Sequence, residues 1–206
     1  MIRRLAVPAI ALALVATLAA CGSDHSSMAG TTAATAAPAA PAAPGVSTAT
    51  LALNAADVGF AQGMIAHHEQ AIEMAEIALD PSVGASPEVI DLANRIKGAQ
   101  DPEVELMTGW LNAAGEPVMM GASDGHDMSS MDGMMTAEQM DTMAATTGSA
   151  FDQMWLGMMI AHHEGAISQS ETVKTNGSNA DVLALADQII IAQQGEITEM
   201  RALLQG

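Results

Sequence analysis

Six residues, Met64-Ile65-Ala66-His67-His68-Glu69, recur 95 positions later as Met159-Ile160-Ala161-His162-His163-Glu164. Four of the chain's six histidines lie in these two copies. Neutral imidazole is a common transition-metal ligand, and methionine thioether is a soft one. Carboxylates recur alongside. Glu103 and Glu196 stand in the matched segments Gln100-x-x-Glu103-x-x-x-Met107 and Gln193-x-x-Glu196-x-x-x-Met200. The candidate metal set is therefore His67, His68, His162, His163, Glu103, Glu196, Met64, Met107, Met159 and Met200. No nucleophile–base pair, phosphate-binding glycine loop or hydrolase motif accompanies it.

These residues need helices to bring them together, and the repeat supplies them. Asp57 matches Asp152, Phe60 matches Trp155, Ala71-Ile72 matches Ala166-Ile167, and Glu76 matches Glu171. A second segment repeats at an offset of 93: Ile96, Ala99-Gln100, Glu103, Met107 and Leu111 correspond to Ile189, Ala192-Gln193, Glu196, Met200 and Leu204. Each copy reads as helix, short loop, helix. Asn54 can cap the first helix and Asp80-Pro81 closes it. Ser86-Pro87-Glu88 is a second start and Gly115 with Pro117 a stop. Thr136 with Gln139 fits a capping box for a third start. Asn176-Gly177 separates the last two helices. Nothing reads as a strand. Pro102 interrupts the second helix and is expected to kink it near Gly98.

Two hairpins with one apolar stripe each bury those stripes most simply against one another. The expected fold is all-α: an antiparallel four-helix bundle with a pseudo-twofold axis. It spans residues 51–206, as repeat one (51–115), a crossover (116–136) and repeat two (137–206). At roughly 100° per residue from Ile65, Ile72 falls near −20°, His68 near −60° and His67 near −160°. His68 and His163 are thus expected inside the apolar arc, with His67 and His162 at its rim. Ile96, Gln100, Glu103, Met107 and Leu111 form one stripe, which puts a carboxylate in the core, where an unpaired charge is costly. His68 with Glu103, and His163 with Glu196, become two half-sites. Buried His–Glu bonds serving the fold alone are the plainer alternative, and methionine is by default a flexible core filler.

The crossover is rich in methionine. Met119-Met120 is followed by His126, Met128, Met131, Met134 and Met135, set among Gly, Ser and Asp that argue for exposure. Thioethers prefer Cu(I) and remain competent where thiolates would oxidise. His126, Met128, Met131, Met134 and Met135 form a second candidate metal cluster, with a low-complexity linker as the alternative.

The beginning of the chain gives an address. Arg3 and Arg4 precede an apolar stretch ending Leu18-Ala19-Ala20-Cys21-Gly22, which looks like a bacterial lipobox. Residues 1–20 are expected to be a signal peptide and Cys21 a lipidated N-terminus anchored to the membrane outside the cytoplasm. Cys21 is the only cysteine, which excludes an intramolecular disulfide. Residues 21–50 read as an Ala/Pro/Thr tether with too little apolar surface to fold. The chain carries 24 acidic residues and a net charge of −18. Phosphate binding needs a basic surface, so nucleic acid is not an expected partner.

The paired Met-Ile-Ala-His-His-Glu segments, with the downstream Gln-x-x-Glu-x-x-x-Met elements, resemble the bacterial secreted family known as domain of unknown function (DUF) 305. The resemblance covers about residues 52–206. It implies a ferritin-like fold, and the copper-binding CopM proteins are similar to that family. His67-His68, His162-His163, Glu103, Met107, Glu196 and Met200 fall on its motif positions, while Pro102 departs from a regular helix. The reading that follows is a surface-tethered protein binding copper for sequestration or delivery, with zinc, iron or manganese as alternative ions. A copper transporter or oxidase is the class of protein partner such a role would call for. Two alternatives differ in kind. One is a ferritin-like metalloenzyme oxidising metal, although the Glu-x-x-His motif of di-iron proteins is absent. The other is a metal-free interaction module with structural histidines.

Overall fold

The computed structural model describes residues 52–119 and 131–205. Their regular elements are five helices: α1 (Ala55–Leu79), α2 (Pro87–Ala114), α3 (Ala137–Ala144), α4 (Gly148–Asn176) and α5 (Ala180–Gln205). The expected signal peptide, the lipidated Cys21, the tether, and His126 and Met128 of the crossover lie outside the described residues. No helix among the described residues is long and apolar enough to cross a membrane.

Local chemistry sets the helix ends. The Asn54 side chain accepts from the Asp57 N–H and the Asp57 carboxylate accepts from the Asn54 N–H, a reciprocal capping box. Ser86 caps α2, with Pro87 at the first helical position, and Gly115 ends it at φ 76°, in the left-handed region that favours glycine. α2 runs on through Pro102. The Thr136–Gln139 capping box is present, but it opens the short α3 rather than a long helix. The first long helix of repeat two begins only at Gly148, whose N–H donates to the Val83 carbonyl in the α1–α2 loop at 2.7 Å. A capping box is a signal confined to one turn, so it marks a start without fixing which helix starts.

α1 and α4 run antiparallel as the central pair. Near the start of α4, Trp155 Nε1 donates to the Met74 carbonyl near the end of α1, at 2.8 Å. At the opposite end, Asp57 of α1 accepts from the Ser178 and Asn179 N–H groups, at 3.0 and 3.2 Å, where the chain turns from α4 into α5. Burial pushes the Asp57 carboxyl up, but donation from Asn54, Ser178 and Asn179 outweighs this and leaves it below the ordinary carboxylate range. Its repeat partner Asp152 does the equivalent job, accepting from the Ser86 N–H at the start of α2 at 3.0 Å. Each first helix thus holds the start of the other hairpin's second helix.

Two apolar clusters fill the bundle. One gathers Met74, Leu92, Ile96, Phe151, Trp155, Met159 and Met200. The other gathers Phe60, Met64, Met107, Leu111, Val182 and Ile189. The two histidine pairs come midway along α1 and α4, where the clusters give way to polar side chains. The bundle has a polar waist between two greasy ends.

Candidate metal centre

All four histidines of the repeat are buried, His67, His68 and His163 at 0 % exposure and His162 at 1 %. The structure therefore corrects the expected rim placement of His67 and His162. A single-helix projection assumes one covering neighbour. α1 is covered by both α2 and α4, so its buried face extends from Ile65 past His67 to Gly63.

His68 Nε2 lies 2.7 Å from Glu103 Oε2, and His163 Nε2 lies 2.8 Å from Glu196 Oε2. The carboxylates are half-buried, their side chains 23 % and 15 % exposed, rather than enclosed as the stripe suggested. They reach the waist from α2 and α5 while keeping contact with water, which lowers the cost of charge there. An ionised carboxylate only accepts, so in the neutral ring Nε2 carries the proton and Nδ1 is a bare lone pair. Nδ1 of His68 and of His163 is buried with no hydrogen-bond partner. This is the arrangement in which a carboxylate orients a metal-binding imidazole through its far nitrogen.

His67 is held differently. Its Nε2 donates to the Asp132 backbone carbonyl at 3.1 Å, again leaving Nδ1 without a partner. Burial pushes its pKa down to about 4, against a smaller upward pull from the Asp132 carbonyl, and His68 and His163 lower it further. His162 has no partner at either nitrogen. Burial holds it well below the ordinary histidine value, and the neighbouring His67, His163 and His68 add to the effect, against a smaller upward pull from the nearby His67 backbone, which makes no well-formed hydrogen bond to the ring. Both rings are neutral at physiological pH and their lone pairs are available. Their centroids stand 3.9 Å apart with planes tilted by 54°, so the two copies of the repeat meet ring against ring.

Met64, Met107, Met159 and Met200 are fully buried, Met64 and Met107 in one cluster, Met159 and Met200 in the other. Gln100 and Gln193 join the site although neither is among the candidate residues named from the sequence. Both are 3 % exposed, and both leave Oε1 buried and unpartnered. The signal was present: each stands one turn before its glutamate in both copies. A buried polar atom without a partner costs about 1–3 kcal/mol, and here the same orphans occur twice. Among the described residues, no three His, Cys, Asp or Glu side chains already converge as a ready-made cage. A site combining imidazole with thioether does not require one.

The described end of the crossover is not the exposed loop that its composition suggested. Met135 is buried in the first cluster, and Met131 and Met134 are half-buried. Gly133, at φ 82°, allows the chain to lie directly on α4, where a Cβ would come within 2.6 Å of the Ala161 carbonyl oxygen. Met119 alone among the described crossover methionines is largely exposed, at 72 %. A cavity of about 380 Å³ opens beside this segment. It lies between Gly59, Gly63 and Ser168, with Met131 and Asp132 at its edge, and Gly63 is one turn before His67.

The model of the family described as "Domain of unknown function (DUF305)" matches residues 57–204, which takes in all five helices except their outermost residues. The chain belongs to the DUF305 family. A presumed secreted DUF305 protein from Streptomyces coelicolor is 29% identical at a TM-score of 0.66, covering 73% of this chain and 92% of that one. A DUF305 fragment from Deinococcus radiodurans is 28% identical at 0.66, covering 74% and 97%. CopM in a Cu(II)-bound form is 34% identical at 0.59, covering 72% and 95%. CopM is also known in Cu(I)-bound, silver-bound and apo forms. An uncharacterised protein, L153, of Acanthamoeba polyphaga mimivirus is 40% identical over 53 residues, which span 35% of its length.

Proposed function

We propose that this DUF305 protein binds a soft transition-metal ion, copper in the first place, at the polar waist of its bundle. One observation carries the reading: four buried imidazoles, neutral or fixed as acceptors at Nδ1, whose lone pairs have no partner inside the protein. Thioethers of Met64, Met107, Met159 and Met200 border the waist, and imidazole with thioether favours Cu(I) over hard ions. Copper- and silver-bound forms of CopM, at 29–34% identity, support the same reading. The metal-bearing candidates remain His67, His68, His162, His163 and the four methionines. Glu103 and Glu196 act through their histidines, since each is already engaged at Nε2. Met131 and Met134 can add thioether from the crossover.

The chain does this outside the cytoplasm, tethered through lipid on Cys21, as a carrier or store rather than a catalyst. A ferritin-like oxidase has less support, because Glu103 and Glu196 each face a histidine of their own. The test is Cu(I) titration of the tag-free mature chain against a His68→Ala/His163→Ala variant. The bound copper is expected to fall by at least one equivalent. Unchanged stoichiometry and affinity would overturn the waist as the site.

A further inference from the structure

His67 and His162 are related by the repeat but are not held alike, and the crossover docks where the two copies differ in sequence. Gln70 in the first copy corresponds to Gly165 in the second. Gln70 brackets Met135: its Oε1 accepts from the Met135 N–H at 2.7 Å, and its Nε2 donates to the Met135 carbonyl at 2.9 Å. Gly165 clears space for the same segment. A Cβ there would collide with the Asp132 carbonyl oxygen and come within 2.9 Å of Gly133 Cα. Between these two contacts, the Met134 N–H donates to the Met131 carbonyl at 3.1 Å, closing a turn with Gly133 at positive φ in its third position. The turn's own bond uses the Met131 carbonyl. The Asp132 carbonyl, at its centre, is left free and accepts from His67.

We infer that Gln70 and Gly165 are positioning residues: they latch the turn Met131–Met134 over the first histidine pair, so that the Asp132 carbonyl fixes the His67 ring while His162 is left free. The two central imidazoles are then chemically unequal. His67 offers Nδ1 alone, and His162 offers either nitrogen. Among the described residues the second copy has no equivalent strap, since the crossover passes between the hairpins once. The consequence for metal rests on the proposed function, since an ion entering the waist meets one preset ring and one adjustable ring. The strap's effect on His67 does not depend on metal.

The test is side-chain ¹⁵N NMR on the metal-free full chain, comparing wild type with Gln70→Ala and Gly165→Ala. In the wild type, His67 is expected to show a fixed Nε2–H tautomer. In each variant its two ring nitrogens should shift towards a common, averaged value. His68 and His163 should stay locked by their glutamates, which also reports that the waist is folded. A His67 pattern unchanged in both variants, or already averaged in the wild type, would overturn the inference. Adding Ag(I) to the same samples separates the two claims. Shifts at Nδ1 of His68 and His163 support the metal reading. A lack of response from all four histidines removes that reading, while the metal-free spectra still decide the strap.

Discussion

Glu103 and Glu196 look like ligands in the sequence and like orienting groups in the structure, and the two roles predict different losses. A carboxylate that only orients its histidine is worth about 10–100-fold in metal affinity. Glu103→Ala with Glu196→Ala should therefore weaken Cu(I) binding by that factor in a competition assay while keeping the stoichiometry. Loss of a full equivalent would make them ligands. Acid sensitivity belongs to this scale too. His67, with its pKa pushed down to about 4, takes up no proton in the native state over a range where the unfolded chain does. Its contribution to stability is complete above the unfolded value near 6.5, and falls away as pH drops from there to about 4. The loss is on the order of 3 kcal/mol. Asp57 adds a further decline below 3.8, where the unfolded carboxyl takes up its proton before the native one does. Melting temperature against pH for the metal-free protein should show this slope, to which buried His162 adds, and His67→Gln should make its upper part shallower. The pairing of His68 with Glu103 was legible because helical spacing puts both on apolar faces. The burial of His67 was not, because it depends on how many neighbours cover α1.

At the scale of elements, the repeat does more than duplicate a motif. Asp57 and Asp152 each tie the start of one hairpin's second helix to the other hairpin's first helix. Asp57 is buried and receives three backbone N–H groups and the Ser178 hydroxyl. Asp57→Ala should cost about 2–3 kcal/mol in denaturant unfolding, from lost charge-assisted bonds and stranded donors. Asp152→Ala, at a half-buried site with one such bond, should cost about 1 kcal/mol. Equal effects would count against this account of the clamps. The matched aspartates were visible in the sequence, but their partners were not, since a carboxylate near a helix start reads first as a cap for its own helix. The late start of α4 was hidden for a related reason: Thr136–Gln139 and Gly148 are both credible starts, and only packing against the Val83 loop selects the second. Asp132-Gly133 reads as a turn, yet its docking on α4 depends on Gly165, far along the chain.

At the scale of the molecule, a bundle with a polar waist gives up apolar packing where its four long helices could pack best. Unpartnered lone pairs at that level lower the stability of the metal-free protein, and an ion satisfying them should return it. A ligand that binds only the native state raises stability by about 2.7 kcal/mol at a hundredfold excess over its Kd. A clear rise in melting temperature with Cu(I) or Ag(I), absent with Mg(II), is therefore expected. The acidic surface gathers cations without choosing among them; choice falls to the donor atoms inside. X-ray absorption at the copper edge, on the full chain with one equivalent of Cu(I), tests this most directly. A first shell of imidazole nitrogen with thioether sulfur is expected. A shell of oxygen donors, or of sulfur alone from the methionine-rich crossover, would contradict it.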